Sequence, residues 1–297
     1  MGKYFEHASI GAVLVGLLSP GPVAARDAGA QLLQPSSKWN VHYADDFCRL
    51  SRTFGEGRDR ISLVIDRFQP SDNFRLILAG QPMGGRHIKT TATIRFGTTL
   101  PEQRLAFLPG DLGKGGPAWV FSNAIRIRPY ADPKDADAIP INDWITAEER
   151  ASVTTIQISE PFSRARTLNT GPMTDAFAAL HRCTEELLGH WGIDVARHAT
   201  LTRWATPAES PAKWVRSSDY PQGMLAKQQP AMVQFRLIVG ADGAPTACHV
   251  QQSTNPAGFN EAVCKALMAR ARFEPALDAE GKPFPSFFIN SVRFEIP

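Results

Sequence analysis

Between Trp39 and Asn169 the chain changes from apolar to polar and back over short distances. Asn73–Leu78 alternates with period two, as a half-buried strand does, and Arg60–Phe68 is rich in branched and aromatic residues. Pro70-Ser71-Asp72 supplies the turn between them, which predicts a hairpin. Ala92–Phe96, Trp119–Ile127 and Val153–Ile158 are further strand candidates, so the region reads as an antiparallel β domain. One helix interrupts it. Phe177, Leu180, Cys183, Leu187 and Leu188 recur at helical spacing, Thr174-Asp175 can cap the start of that helix, and Gly189 and Gly192 mark its end.

Residues 206–217 carry two prolines and little periodicity, which predicts a linker between an N-terminal domain at 31–205 and a C-terminal one at 218–297. In the latter, Met232–Val239 alternates, Asp242-Gly243 signals a hairpin, and Pro245–Val250 returns as a second strand. Phe259, Ala262, Val263, Ala266 and Leu267 then form a helical stripe, and Phe284–Ile296 can supply a third strand. The fold class is therefore α+β: a β-rich N-terminal domain with one helix, followed by a small β-β-α-β domain whose helix covers one face of a three-stranded sheet.

Composition narrows the function. With 297 residues, 43% hydrophobic and 21% charged, the chain can bury two ordinary cores. Its 32 Lys and Arg against 29 Asp and Glu leave a net charge of +3 without basic runs, so nucleic acid is a poor partner. Ala8–Leu18 is an apolar run of about 11 residues, the length of a signal-peptide core and too short to span a bilayer. Ser19-Pro20-Gly21-Pro22 breaks it and Val23-Ala24-Ala25 offers small residues, which predicts a signal peptide at 1–25 cleaved after Ala25 and a periplasmic product; an uncleaved inner-membrane anchor is the alternative. Four cysteines suit an oxidising compartment and allow three pairings. Their placement in the two domains favours Cys48–Cys183 and Cys248–Cys264, the second stapling helix to sheet.

Catalytic motifs are weak throughout. Pro109–Gly116 has the composition of a phosphate loop without its spacing, and Ser210-Pro211-Ala212-Lys213 matches a Ser-x-x-Lys pattern in a linker context. His181 and Glu185 lie one helical turn apart and read as an ion pair; two such ligands do not make a metal site. His190 and His198, with Trp191 and Trp204, could line a pocket, although packed histidines are commoner. Asp45 and Asp46 are adjacent, so on a strand they would face opposite ways. No catalytic residue, metal or cofactor is assigned.

In the last segment Tyr220-Pro221, Asp242-Gly243, Cys248-His249-Val250, Ala262-Val263-Cys264, Arg270–Ala276, Gly281-Lys282-Pro283 and Val292-Arg293-Phe294 follow one another in that order. Together they resemble the C-terminal domain of the TonB family. It implies a non-enzymatic domain that captures an extended segment of an outer-membrane or periplasmic protein, the TonB box, by strand addition. By analogy the docking edge is Ser286, Phe287, Phe288, Ile289, Asn290, Ser291, Val292, Arg293 and Phe294. Phe287 and Ile289 are also candidates for core or dimer contacts. Strand exchange in such domains leaves a homodimer open. The family's Pro-rich spacer is absent, which argues for an adaptor over an energy transducer; a retained anchor would instead imply an ExbB–ExbD motor. A further alternative is a periplasmic enzyme with its site in residues 39–205, which a deep polar pocket with a shifted titratable group would support.

Overall fold

Ten strands wrap around one long helix. They are β1 (Gln31–Leu33), β2 (Asn40–Tyr43), β3 (Cys48–Phe54), β4 (Ile61–Arg67), β5 (Arg75–Ala79), β6 (Thr91–Phe96), β7 (Gln103–Asp111), β8 (Pro117–Phe121), β9 (Thr155–Ile158) and β10 (Arg166–Asn169), in the spatial order β1-β10-β9-β6-β7-β8-β5-β4-β3-β2. The computed structural model describes residues 29–85, 90–121, 125–130, 145–253 and 256–295, so the expected signal segment at 1–25 lies outside the described residues. Neighbouring strands run antiparallel apart from the β1–β10 pair. The sheet curls back on itself: Ser36 N–H donates to Thr53 O and Gly55 N–H to Gln34 O, both at 2.8 Å, tying the chain after β1 to the end of β3.

The helix inside the curl, α2 (Thr174–His190), buries Phe177, Leu180, Cys183 and Leu187 against Leu50, Leu63, Ile65, Leu76 and Trp119 of the sheet. The Cys48–Cys183 disulfide pins it to β3, with Cα atoms 6.0 Å apart. The expected cap differs: Thr174 is the first helical residue, Met173 occupies the N-cap, and no side chain closes the turn. Two short helices join it where one helix was expected. The first, α1 (Ala147–Ser152), opens on a capping box in which Glu149 N–H donates to Thr146 Oγ1 and Thr146 N–H to Glu149 Oε2. The second, α3 (Val195–Ala199), is capped by Asp194, whose carboxylate accepts the Arg197 N–H. Of the strand expected over Trp119–Ile127, β8 covers the part to Phe121, residues 122–124 lie outside the described residues, and Ile125 forms an isolated bridge with Phe74.

The stretch expected as a linker is folded onto the C-terminal domain. It holds β11 (Thr206–Pro207), which pairs with β14 (Phe273–Glu274), and ahead of it Thr202 N–H donates to Leu277 O at 2.9 Å. Leu201, Ala205 and Trp214 join that domain's core. After α4 (Gln222–Leu225) come β12 (Ala231–Val239), β13 (Pro245–Ser253) and α5 (Ala257–Arg270); beyond β14 come β15 (Ala276–Leu277), β16 (Pro283–Phe284) and β17 (Ser286–Phe294). The main sheet has the order β13-β12-β17, with α5 on one face and the Cys248–Cys264 disulfide joining them, Cα atoms 5.6 Å apart.

The other face of this sheet rests on the N-terminal domain. Val233, Phe235 and Leu237 point to α5, while Gln234 and Arg236, between them in β12, are buried on the opposite side. Arg236 donates to Asp46 at 2.7 Å and lies 4.0 Å from the Trp191 ring; Gln251 donates to the Asp46 carbonyl, and Arg75 to Gln234. Burial holds the Arg236 pKa below its ordinary value, and Asp46 partly restores it. Phe287 packs with Leu188 and Ile193 in the same interface.

Candidate peptide-docking edge

In the three-stranded sheet β12 is central, so among the described residues β17 pairs on one side only, from Ala231↔Phe294 to Val239↔Ser286. Along an antiparallel ladder each residue either exchanges both main-chain bonds with its partner or turns both groups away. Ser291 N–H is held by its neighbour's side chain, Asn290 Oδ1, at 2.7 Å. Ser291 therefore belongs to the set that faces away from β12, and Ile289 and Arg293 share its parity.

The nine predicted edge residues fall into two groups. Ser286 and Phe287 are buried, and Phe287 is committed to the domain interface, where it stacks on His198 with centroids 5.5 Å apart and meets Trp191 edge-on at 5.4 Å. Phe288 turns to the other face, toward Trp214, Phe235 and Phe273. Ile289 packs beside Phe287. Asn290, Ser291 and Arg293 are exposed, Val292 is half-buried, and the Phe294 side chain is buried against Tyr220 and Phe259.

Beside this second half runs a groove of about 560 Å³. One wall is Asn290–Glu295; the other is the segment from Pro211 to Tyr220, with Phe235 and Leu267 among the lining residues. Trp214 anchors the far wall: it is fully buried, 5.1 Å from Phe273 and 5.8 Å from Phe288. Arg270, at the end of α5, clamps the wall by donating from Nε to the Trp214 carbonyl at 2.6 Å and pairing with Asp219. Tyr220 Oη donates to Gln229 O at 2.6 Å, fixing the wall's other end. At ~3.4 Å per residue the open stretch Asn290–Phe294 offers about 17 Å of edge, enough for an extended segment of about five residues.

Residues 216–296 match the family described as Gram-negative bacterial TonB protein C-terminal. No curated protein matches the chain. The match bears on the TonB-type domain alone, and it associates that domain with interaction or energy transduction in the envelope. Among the described residues no helix is long and apolar enough to cross a membrane.

The chemical candidates elsewhere are scattered. Pro109–Asp111 closes β7, and residues 112–116 form a surface turn. Lys213 pairs with Glu209 at 3.3 Å, and His181 with Glu185 at 3.4 Å. Asp46 is spent on Arg236. No three or more His, Cys, Asp or Glu side chains converge among the described residues. The groove wall was missed by sequence reasoning. A tryptophan and a valine at 214–215, unusual for a solvated linker, were the available signal.

Proposed function

We propose that the chain is an exported adaptor of the cell envelope whose TonB-type domain captures an extended segment of an outer-membrane or periplasmic protein by adding it to β17, without doing chemistry. The observation that carries this reading is the outward Ser291 main chain beside the groove. An incoming strand gains main-chain hydrogen bonds there with little demand on its side chains, while the groove supplies apolar contact. Of the candidate edge, this reading favours Asn290–Phe294, since Ser286 and Phe287 are buried and Phe287 packs in the interface between the domains.

A second reading, an enzyme sited in the N-terminal domain, has one supporting observation: a cavity against α2 containing Arg67, His181 and His198, all held below their ordinary pKa by burial. Among its described lining residues Thr174 is the one hydroxyl, beside Asp72, His181, Glu185 and His198.

The test of strand addition is Ser291→Pro. Proline lacks the N–H that an added strand would use, yet at this position the β12 ladder does not use it. Fluorescence anisotropy with a fluorescein-labelled TonB-box-type peptide should show binding to the parent chain and at least tenfold weaker binding to S291P, with little change in melting temperature. Equal binding by the two proteins would place the site elsewhere. Sedimentation would reveal strand exchange as a homodimer that the peptide dissociates.

A further inference from the structure

The cavity against α2 measures about 620 Å³ and is bounded by β4, α1, α2 and α3. Thr174, Ala178, His181, Glu185 and Leu188 succeed one another along the face of α2 that lines it, a path of about 21 Å at 1.5 Å per residue. Its two ends differ in chemistry. Near Phe177 stand Arg67, Asp72 and Arg150; near Leu188 stand Leu201 and Trp204.

The polar end contains a guanidinium without adequate partners. The Arg67 side chain is only 5% exposed, its Nε is buried without a hydrogen bond, and its contact with Asp72 is 4.0 Å, beyond hydrogen-bond reach. Asp72 cannot serve it better, because the same carboxylate faces Arg126 and Arg150 at 3.9 Å each and accepts the Ile145 N–H. Burial accordingly lowers the Arg67 pKa to about 10, the Asp72 charge opposing and Arg150 reinforcing the shift. A buried cation normally has both a counter-charge and hydrogen bonds. The first turn of α2, 17 residues long, opens on the same end with no side-chain cap.

We propose that this cavity binds a small amphipathic carboxylate of the fatty-acid type, its head group on Arg67 and Arg150 and its hydrocarbon body running along α2 toward Leu188, Leu201 and Trp204. The carboxylate supplies the acceptors that Asp72 lacks, and the tail runs past the partly exposed His181–Glu185 pair to an end lined by Leu188, Leu201 and Trp204. The site shares no lining residue with the β17 groove, although Leu201 and Trp204 pack on the C-terminal core and His198 stacks on Phe287 of β17.

Isothermal titration of the full chain with decanoate, decanol and acetate tests the assignment. Decanoate is expected to bind at least tenfold more tightly than decanol, which has a comparable tail without charge, and acetate is expected to give no measurable heat. Arg67→Met should reduce decanoate affinity at least tenfold and leave decanol unchanged. Ala178→Phe, which fills the channel, should abolish both. Melting temperatures of the two variants at or above that of the parent would show that they fold. Equal affinity for decanoate and decanol, or an R67M protein that binds decanoate as the parent does, would overturn the proposal. A parent chain that binds neither would overturn it as well.

Discussion

Arg236 and Asp46 meet at 2.7 Å although 190 residues separate them, and their contact ties the central strand of the TonB-type domain to the turn before β3. The Arg236 side chain is 4% exposed and that of Asp46 31%, so the two charges bear unequal desolvation. Removing Asp46 strands a buried cation, whereas removing Arg236 leaves a carboxylate that water can reach. Asp46→Ala should therefore cost ~2 kcal/mol and Arg236→Met less, despite its lost packing on Trp191. Urea unfolding of both variants checks the order.

His198 makes the fold sensitive to mild acid. Burial lowers its pKa from 6.5 to about 4, so the unfolded chain takes up a proton at a pH where the folded one does not. Its contribution is present above pH 6.5, is lost as the pH falls toward 4, and amounts to roughly 3 kcal/mol across that window. His198→Phe keeps an aromatic ring against Phe287 and should flatten much of the slope. His181, also held low by burial, leaves a smaller slope of the same sign. Denaturant midpoints measured at pH 7 and pH 5 separate the two contributions.

Two glycines with the same backbone conformation should respond unequally. Gly243 and Gly281 have φ near +78° and +72°, but a Cβ on Gly243 would sit 2.0 Å from Phe273 O, whereas one on Gly281 meets open space. Gly281→Ala should cost about 1 kcal/mol from backbone strain alone, and Gly243→Ala at least ~3 kcal/mol. Thermal unfolding of the pair distinguishes strain from collision.

The disulfides should rank by the chain they enclose. Opening Cys248–Cys264, with a sequence separation of 16, should cost ~3 kcal/mol, and opening Cys48–Cys183, with a separation of 135, nearer ~5 kcal/mol. Double alanine variants of each pair, compared in urea, give the ranking, and non-reducing peptide mapping should recover the same two pairs.

Legibility tracked burial. The α2 stripe could be read because a single buried face imposes a period on the sequence; the β4–β5 hairpin was legible from its branched residues and turn although β5 is buried on both faces rather than half-buried, and the cysteine pairs from their placement in the two domains. The capping box of Thr146 and Glu149 was equally written in the residues and was overlooked. What could not be read depends on contacts between domains. Gln234 and Arg236 look like the solvent face of an alternating strand, yet a second domain covers them. Trp214 fell in a segment dismissed for its prolines, and α5 supplies the Arg270 that turns that segment into a groove wall. The edge strand reads from resemblance as one continuous stretch; the burial of Phe287 within it depends on partners that lie far away in sequence.

The enclosed lengths of the two disulfides also order events during oxidation. Cys248 and Cys264 meet through local chain, so their encounter requires little beyond the β13–α5 unit. Cys48 must wait, as a thiol, until α2 has been made and has entered the curl of the sheet. In the unfolded chain Cys183 is closer along the sequence to Cys248 than to Cys48, and loop entropy favours that wrong encounter by about threefold. Correct pairing thus relies on the N-terminal sheet capturing α2 first, or on thiol exchange that undoes an interdomain crosslink.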